Sequence, residues 1–138
     1  MEQLTQQLHS ITSDEIIMQG RHTVTRAIDG LRKVEAAIDQ QFMRAVQMIT
    51  SMRGRLIVTG MGKSGHIARK IAATFASTGT AAYFVHPAEA NHGDMGMISQ
   101  DDVIFMLSNS GETAELAPMI AYAKRFAIPV IALVRRAS

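Results

Sequence analysis

The apolar positions of this chain repeat first at helical spacing and then as short continuous runs. Ile16, Ile17, Val24, Ala27, Ile28, Leu31, Val34 and Ile38 fall near one stripe of a 3.6-residue repeat. That spacing predicts an amphipathic helix starting at a Ser13 or Asp14 cap. Gly20 and Gly30 each weaken such a helix by about 1 kcal/mol relative to Ala and mark places for a bend or a close contact. Asp39 predicts the cap of a second helix, Gln40 to about Met52, with Phe42, Ala45, Val46 and Ile49 on its apolar face. These two helices either cover the sheet that follows or form a dimerising arm. The polar, Gln-rich start before them reads as frayed.

Beyond Arg55 the pattern changes. Leu56 to Val58, Ala81 to Val85, Val103 to Leu107 and Pro129 to Val134 are short apolar runs rather than alternations, as strands buried on both faces require. Between them, Ile67, Ile71 and Phe75 recur at helical spacing until Gly79. Ala114 to about Ala127 reads as another helix, with Pro118 tolerated in its first turn. His86 to Met97 reads as a polar loop. The order predicts an α/β three-layer sandwich with a parallel sheet and right-handed crossovers, preceded by N-terminal helices. A flavodoxin-like strand order 2-1-3-4 places the turns at Gly62 and Ser110 side by side at the switch point. The division expected is a helical arm over residues 1–53 and a partial α/β domain over 54–138, forming one structural unit.

Composition narrows the function classes. A chain of 138 residues with 47% hydrophobic content can bury a real core. A net charge of +2, from 14 basic against 12 acidic residues, gives no field that argues for nucleic acid. The lack of cysteine excludes disulfides and zinc ribbons. No stretch reaches the roughly 20 apolar residues of a membrane span, and the N-terminus lacks the order of a secretory signal. A cytoplasmic protein with no membrane partner is expected.

Two glycine- and serine-containing turns carry the candidate chemistry. Gly60, Gly62 and Gly65 satisfy the spacing of a dinucleotide turn, but Glu89 arrives only in the loop after the next strand, too late for the ribose. A nucleoside-triphosphate loop needs another glycine where Ile57 stands. What survives is a phosphate cradle at a helix N-terminus, with the Lys63 ammonium and the Ser64 hydroxyl added to the backbone N–H groups. Ser108, Asn109, Ser110, Gly111 and Thr113 form the second turn. Their hydroxyls either bind an anion or cap the following helix, since both use the same exposed groups.

Taken together, Gly60-Met-Gly-Lys-Ser-Gly-His66, Ala76-Ser-Thr-Gly79, Phe84-Val-His-Pro87, His92-Gly-Asp94 and Ser108-Asn-Ser-Gly-Glu112 closely resemble the sugar isomerase (SIS) domain of bacterial arabinose 5-phosphate isomerases. The resemblance runs from about Gly30 to Val134. It implies interconversion of D-ribulose 5-phosphate and D-arabinose 5-phosphate, a step feeding lipopolysaccharide synthesis, by a tetramer with no required metal or cofactor. By matching position it implies a phosphate-binding loop at Ser108, Asn109, Ser110 and Thr113, with Gly62, Ser64 and Gly65 beside it. Lys63 and Glu115 match candidate catalytic groups. His92 matches a histidine that can capture inhibitory zinc. Read from the residues alone, His86, His92 and Asp94 form a metal site or, lacking the i, i+4 pair of a zinc hydrolase, serve structural hydrogen bonds or sugar-hydroxyl contacts.

Family members continue with a fifth strand and further catalytic groups that these 138 residues lack, so an incomplete domain, truncated after its fourth strand, is the expectation. It would leave Val130, Ile131 and Leu133 on an uncovered edge and favour self-association. A non-catalytic phosphosugar-sensing module is the alternative. Within the isomerase reading, Glu115 is either a base whose partial burial raises its pKa or a solvent-facing residue of a first helical turn. Glu112, His66 and the ten methionines read as structural.

Overall fold

Asp102, at the start of the third strand, is a fully buried carboxylate that ties the base of the sheet together. Its Oδ1 accepts from the Arg55 backbone N–H at 2.7 Å and its Oδ2 from that of Ser99 at 2.7 Å. Burial opposes the charge, but these two N–H groups and the nearby Arg55 guanidinium outweigh it and hold the carboxyl below the usual aspartate range. Arg53 and Asp101 pair beside it on the surface at 2.9 Å.

The structure is a computed structural model that describes residues 12–135. The frayed start expected before Ser13 lies almost entirely outside them. The chain divides into two compact units, Met1–Phe42 and Met43–Ser138. In the first, helix α1 (Ser13–Ala36) is capped by Thr12 rather than by Ser13 or Asp14. The Thr12 hydroxyl accepts from Glu15 N–H while the Glu15 carboxylate returns to the Thr12 backbone, a capping box that satisfies two otherwise orphaned donors. The helix runs unbroken through Gly20 and Gly30, neither of which is crowded. Asp39 caps α2 (Gln40–Ser51) as expected, accepting from Gln41 and Phe42 N–H.

In the second unit, β1 (Leu56–Gly60), β2 (Ala82–Phe84), β3 (Val103–Ser108) and β4 (Val130–Val134) form one parallel sheet in the order β2-β1-β3-β4. Alternate residues feed two cores. Ile57, Ile104 and Met106 pack with Met119, Ala123 and Ile128 on one face, and Leu56, Val58, Val103 and Leu107 pack with Ala68 and Ala72 on the other. This two-sided burial is why β1 and β3 read as continuous apolar runs. β4 is different, with Val130 36% and Leu133 56% exposed and Ile131 partly buried.

Helix α3 (Gly62–Ser77) follows β1, but its buried positions are Gly65, Ala68 and Ala72. Ile67, expected on the apolar face, is 57% exposed, and Ile71 and Phe75 are only partly buried. Small residues win the inner face because the helix lies close to the sheet; a Cβ on Gly65 would meet the Gly60 carbonyl oxygen at 2.6 Å. The segment expected as a loop contains α4 (Pro87–Asn91) and a 3-10 turn (Asp94–Met97). Its polar residues obscured the Pro87 and Ala90 positions that bury this short helix. The expected helix from Ala114 starts as a 3-10 turn (Ala114–Leu116) and becomes α5 (Ala117–Arg125), with Pro118 in its first turn.

Candidate functional site

The parallel register fixes where the two turns stand. Gly60 is the partner of Leu107, and Ser108 is the partner of Val134, so β1, β3 and β4 end together. Ligands of open α/β sheets bind beyond these carboxyl ends, where crossovers to either side leave a crevice. Such a cleft is present, with a volume of about 540 Å³. Lys63 and Ser64 line it from the first turn, Leu107, Ser108 and Asn109 from β3 and the second turn, and Leu133, Val134 and Arg135 from the end of β4.

The first turn is made by local backbone demands. Gly62 has φ +53°, a left-handed conformation that favours glycine, and Met61 N-caps α3 without a side-chain hydrogen bond. The N-terminal N–H groups of α3 thus have no side-chain cap competing for them, and Lys63 and Ser64 follow at once. Gly65 is buried against the Gly60 carbonyl, so its part is to bring the helix close to the strand.

The second turn is closed on itself. The Ser108 and Thr113 hydroxyls lie 2.7 Å apart, the Gly111 N–H donates to Ser108 Oγ at 3.0 Å, and the Glu112 N–H donates to Ser110 Oγ at 3.1 Å. Gly111 permits the bend with φ +78°. Thr113 occupies a cap position but makes no side-chain cap bond; its hydroxyl is turned to Ser108 instead. Of this turn only Ser108 and Asn109 line the cleft, while Ser110, Gly111 and Thr113 lie on its continuation.

The remaining candidates stand elsewhere. Glu115 is exposed on the 3-10 turn and outside the cleft lining, the solvent-facing one of its two readings. The turn begins before α5 packs down, so this side chain is left toward solvent while Leu116 takes the buried position. The His86 Nδ1 accepts from Ala88 N–H at 3.3 Å and caps α4. His92 follows the other end of α4, exposed. Neither histidine lines the cleft. Asn91 reaches the Glu115 backbone oxygen across 3.5 Å, so the histidine segment and the glutamate segment are neighbours. Among the described residues no group of three or more His, Asp or Glu is placed to hold a metal ion.

Sequence reasoning passed over Arg135. Its signal was a cation immediately after a strand, at the end of the sheet where ligands bind, but nothing local distinguishes such an arginine from a surface one.

A family model described as the SIS domain matches residues 48–138. Arabinose 5-phosphate isomerase KdsD of Pseudomonas aeruginosa is 47% identical over 119 residues, which cover 86% of this chain and 36% of that protein. The protein of the same name from Francisella tularensis is 50% identical, covering 77% and 33%. The chain thus spans about a third of the length of the curated relatives it matches. A solved structure from E. coli CFT073, in complex with arabinose 5-phosphate, superposes with a TM-score of 0.84 at 38% identity, covering 91% of this chain and 67% of that one. A Listeria monocytogenes structure superposes with a TM-score of 0.86 at 23% identity, covering 92% and 67%, a likeness of fold alone. With its parallel sheet, its glycine turn and two thirds of its length matched in order, this chain belongs to the SIS domain family.

Proposed function

We propose that this chain is the sugar-phosphate-binding part of an aldose–ketose isomerase that interconverts D-arabinose 5-phosphate and D-ribulose 5-phosphate. The observation that carries the reading is the meeting of Lys63, Ser64, Ser108 and Asn109 in one cleft, from two turns far apart in sequence. The names of the curated relatives and the arabinose 5-phosphate bound in the E. coli structure support the substrate.

The reaction moves a proton from C2 of the open aldose to C1 of the ketose through an enediolate. An anchor must hold the phosphate, a cation must meet the charge that develops on the enediolate oxygens, and a base must carry the proton. In this reading the α3 N-terminus, Ser64 and the Ser108 turn hold the phosphate. Ser110, Gly111 and Thr113 keep that turn in shape. Lys63 stabilises the enediolate oxygen, and Glu115 is the carboxylate assigned to the proton. His86 and His92, beside the Glu115 segment, are assigned to sugar hydroxyls. A second reading, a module that binds the sugar phosphate without turnover, is favoured by one observation: Glu115 stands exposed and outside the cleft lining.

We place the protein in the cytoplasm, as part of a homo-oligomer whose product feeds lipopolysaccharide synthesis, and divide it into a helical arm and the SIS domain. No described helix is long and apolar enough to cross a membrane. A coupled assay on D-arabinose 5-phosphate, run beside a binding titration, separates the readings. Turnover that Lys63→Ala and Glu115→Gln abolish supports the isomerase. Saturable binding with no turnover leaves the sensing module, and no binding removes both.

A further inference from the structure

We infer that Arg135 is a second anion-binding residue of the cleft, gripping the phosphate from the β4 side while Lys63 faces the reacting carbons from the β1 side. The inference rests on the sugar-phosphate reading above and extends it to a residue in neither turn.

Sheet order carries the argument. β3 lies between β1 and β4, so the Ser108 turn is flanked on one side by Lys63 and on the other by Arg135. Arg135 follows Val134, the register partner of Ser108, which sets the arginine beside Asn109. Two strand spacings separate the flanking chains, roughly 10 Å, so a phosphate seated over the Ser108 turn between them is within reach of Ser64 from one side and of Arg135 from the other.

Charge gives a second, independent argument. The cleft lining contains Lys63 and Arg135 and no carboxylate. Neither cation takes part in the ion pairs of the described residues, which join Arg32 to Asp29, Arg53 to Asp101 and Arg55 to Asp102. Two positive charges with no ion-pair partner among the described residues, over an apolar floor of Ile67, Leu107 and Leu133, suit a sugar phosphate, whose phosphate carries nearly two negative charges at neutral pH and whose enediolate develops another. The planar guanidinium can donate two parallel hydrogen bonds to phosphate oxygens, whereas the Lys63 ammonium acts as a point charge suited to one developing oxyanion.

The test is calorimetric titration of wild type, Arg135→Gln and Arg135→Lys with D-arabinose 5-phosphate, inorganic phosphate and unphosphorylated D-arabinose. Arg135→Gln should weaken both phosphate ligands by about 10- to 100-fold, the scale of a lost charge-assisted hydrogen bond. Arg135→Lys should recover part of that loss, and unphosphorylated arabinose should bind all three proteins equally. In turnover, KM should rise with the loss of binding while kcat falls far less. Equal phosphate affinity in wild type and Arg135→Gln overturns the inference. A wild type that binds inorganic phosphate through Arg135 but not the pentose phosphate keeps the inference and removes the isomerase reading. A wild type that binds neither ligand removes both.

Discussion

The hydroxyl of Ser108 meets that of Thr113 at 2.7 Å across the bend between β3 and its 3-10 turn. With Gly111 N–H donating to the same Ser108 oxygen, the bend is held by hydrogen bonds of its own. A preformed turn spares the ordering cost that binding would otherwise carry. Thr113→Val keeps the branched shape and deletes the hydroxyl. It should weaken phosphate by about fivefold, the worth of a single neutral hydrogen bond, as read by titration with inorganic phosphate. Unchanged affinity would show that Ser108 holds the turn alone.

Lys63 is the cation of the first turn that lines the cleft. Lys63→Met retains most of its aliphatic stem and removes the charge. In the isomerase reading kcat should fall by about 10²- to 10³-fold, the usual loss when a transition-state donor is removed. Steady-state assays on D-arabinose 5-phosphate check this, and a change confined to KM would assign Lys63 to ground-state binding instead.

Gly65 and Gly20 offer a contrast in stability. A Cβ at Gly65 meets the Gly60 carbonyl, a backbone atom with no flexible end to yield, so Gly65→Ala should cost about 1–3 kcal/mol. Gly20 has open space around it within α1, and Gly20→Ala should be neutral or stabilising by up to about 1 kcal/mol. Urea denaturation of the two variants measures both. Equal stability in Gly65→Ala and wild type would mean that α3 shifts freely on the sheet.

Asp102 predicts a pH dependence. Its folded pKa lies below the unfolded value of about 3.9. The stability it contributes is therefore complete above that unfolded value and is lost as pH falls through the folded one. Asp102→Asn keeps an acceptor oxygen for one of the two backbone N–H groups, sets its NH2 against the other, and should lose about 1.5–3 kcal/mol at pH 7. Denaturation curves from pH 7 to pH 2 should show the gap between variant and wild type closing at the acid end. A gap independent of pH would place the loss in packing rather than in the charge.

The proposed oligomer is tested through α1. Val24 and Leu31 are 60% and 69% exposed on its apolar stripe, and exposed apolar surface of this extent favours a partner. In sedimentation the wild type should run as an oligomer, and the double change Val24→Lys, Leu31→Lys should shift it toward smaller species. A sharp monomeric wild-type peak would remove the proposal.

Much of this architecture follows from local rules. Helical spacing before Arg55, continuous apolar runs after it and glycine at the first bend give helices, a two-sided sheet and a turn without reference to any distant residue. Right-handed crossovers fix the face on which each helix packs, and the strand order found is the flavodoxin-like one considered from the sequence. Asp39 and Gly62 were legible for the same reason, since a cap and a left-handed backbone are decided within a few residues.

The chain alone settled the four strands, the longer helices and the two polar turns, but not the short helix and 3-10 turn between Pro87 and Met97. Tertiary contact settled which side chains share the cleft. Small residues rather than Ile67 face the sheet because α3 lies close against β1. Glu115 falls outside the cleft because Leu116 claims the buried position beside it. Arg135 enters because β4 is registered against β3, a pairing of residues distant in sequence. Periodicity reports only a residue's own element, whereas a site is made of distances between elements, and those are fixed when the sheet closes its two cores.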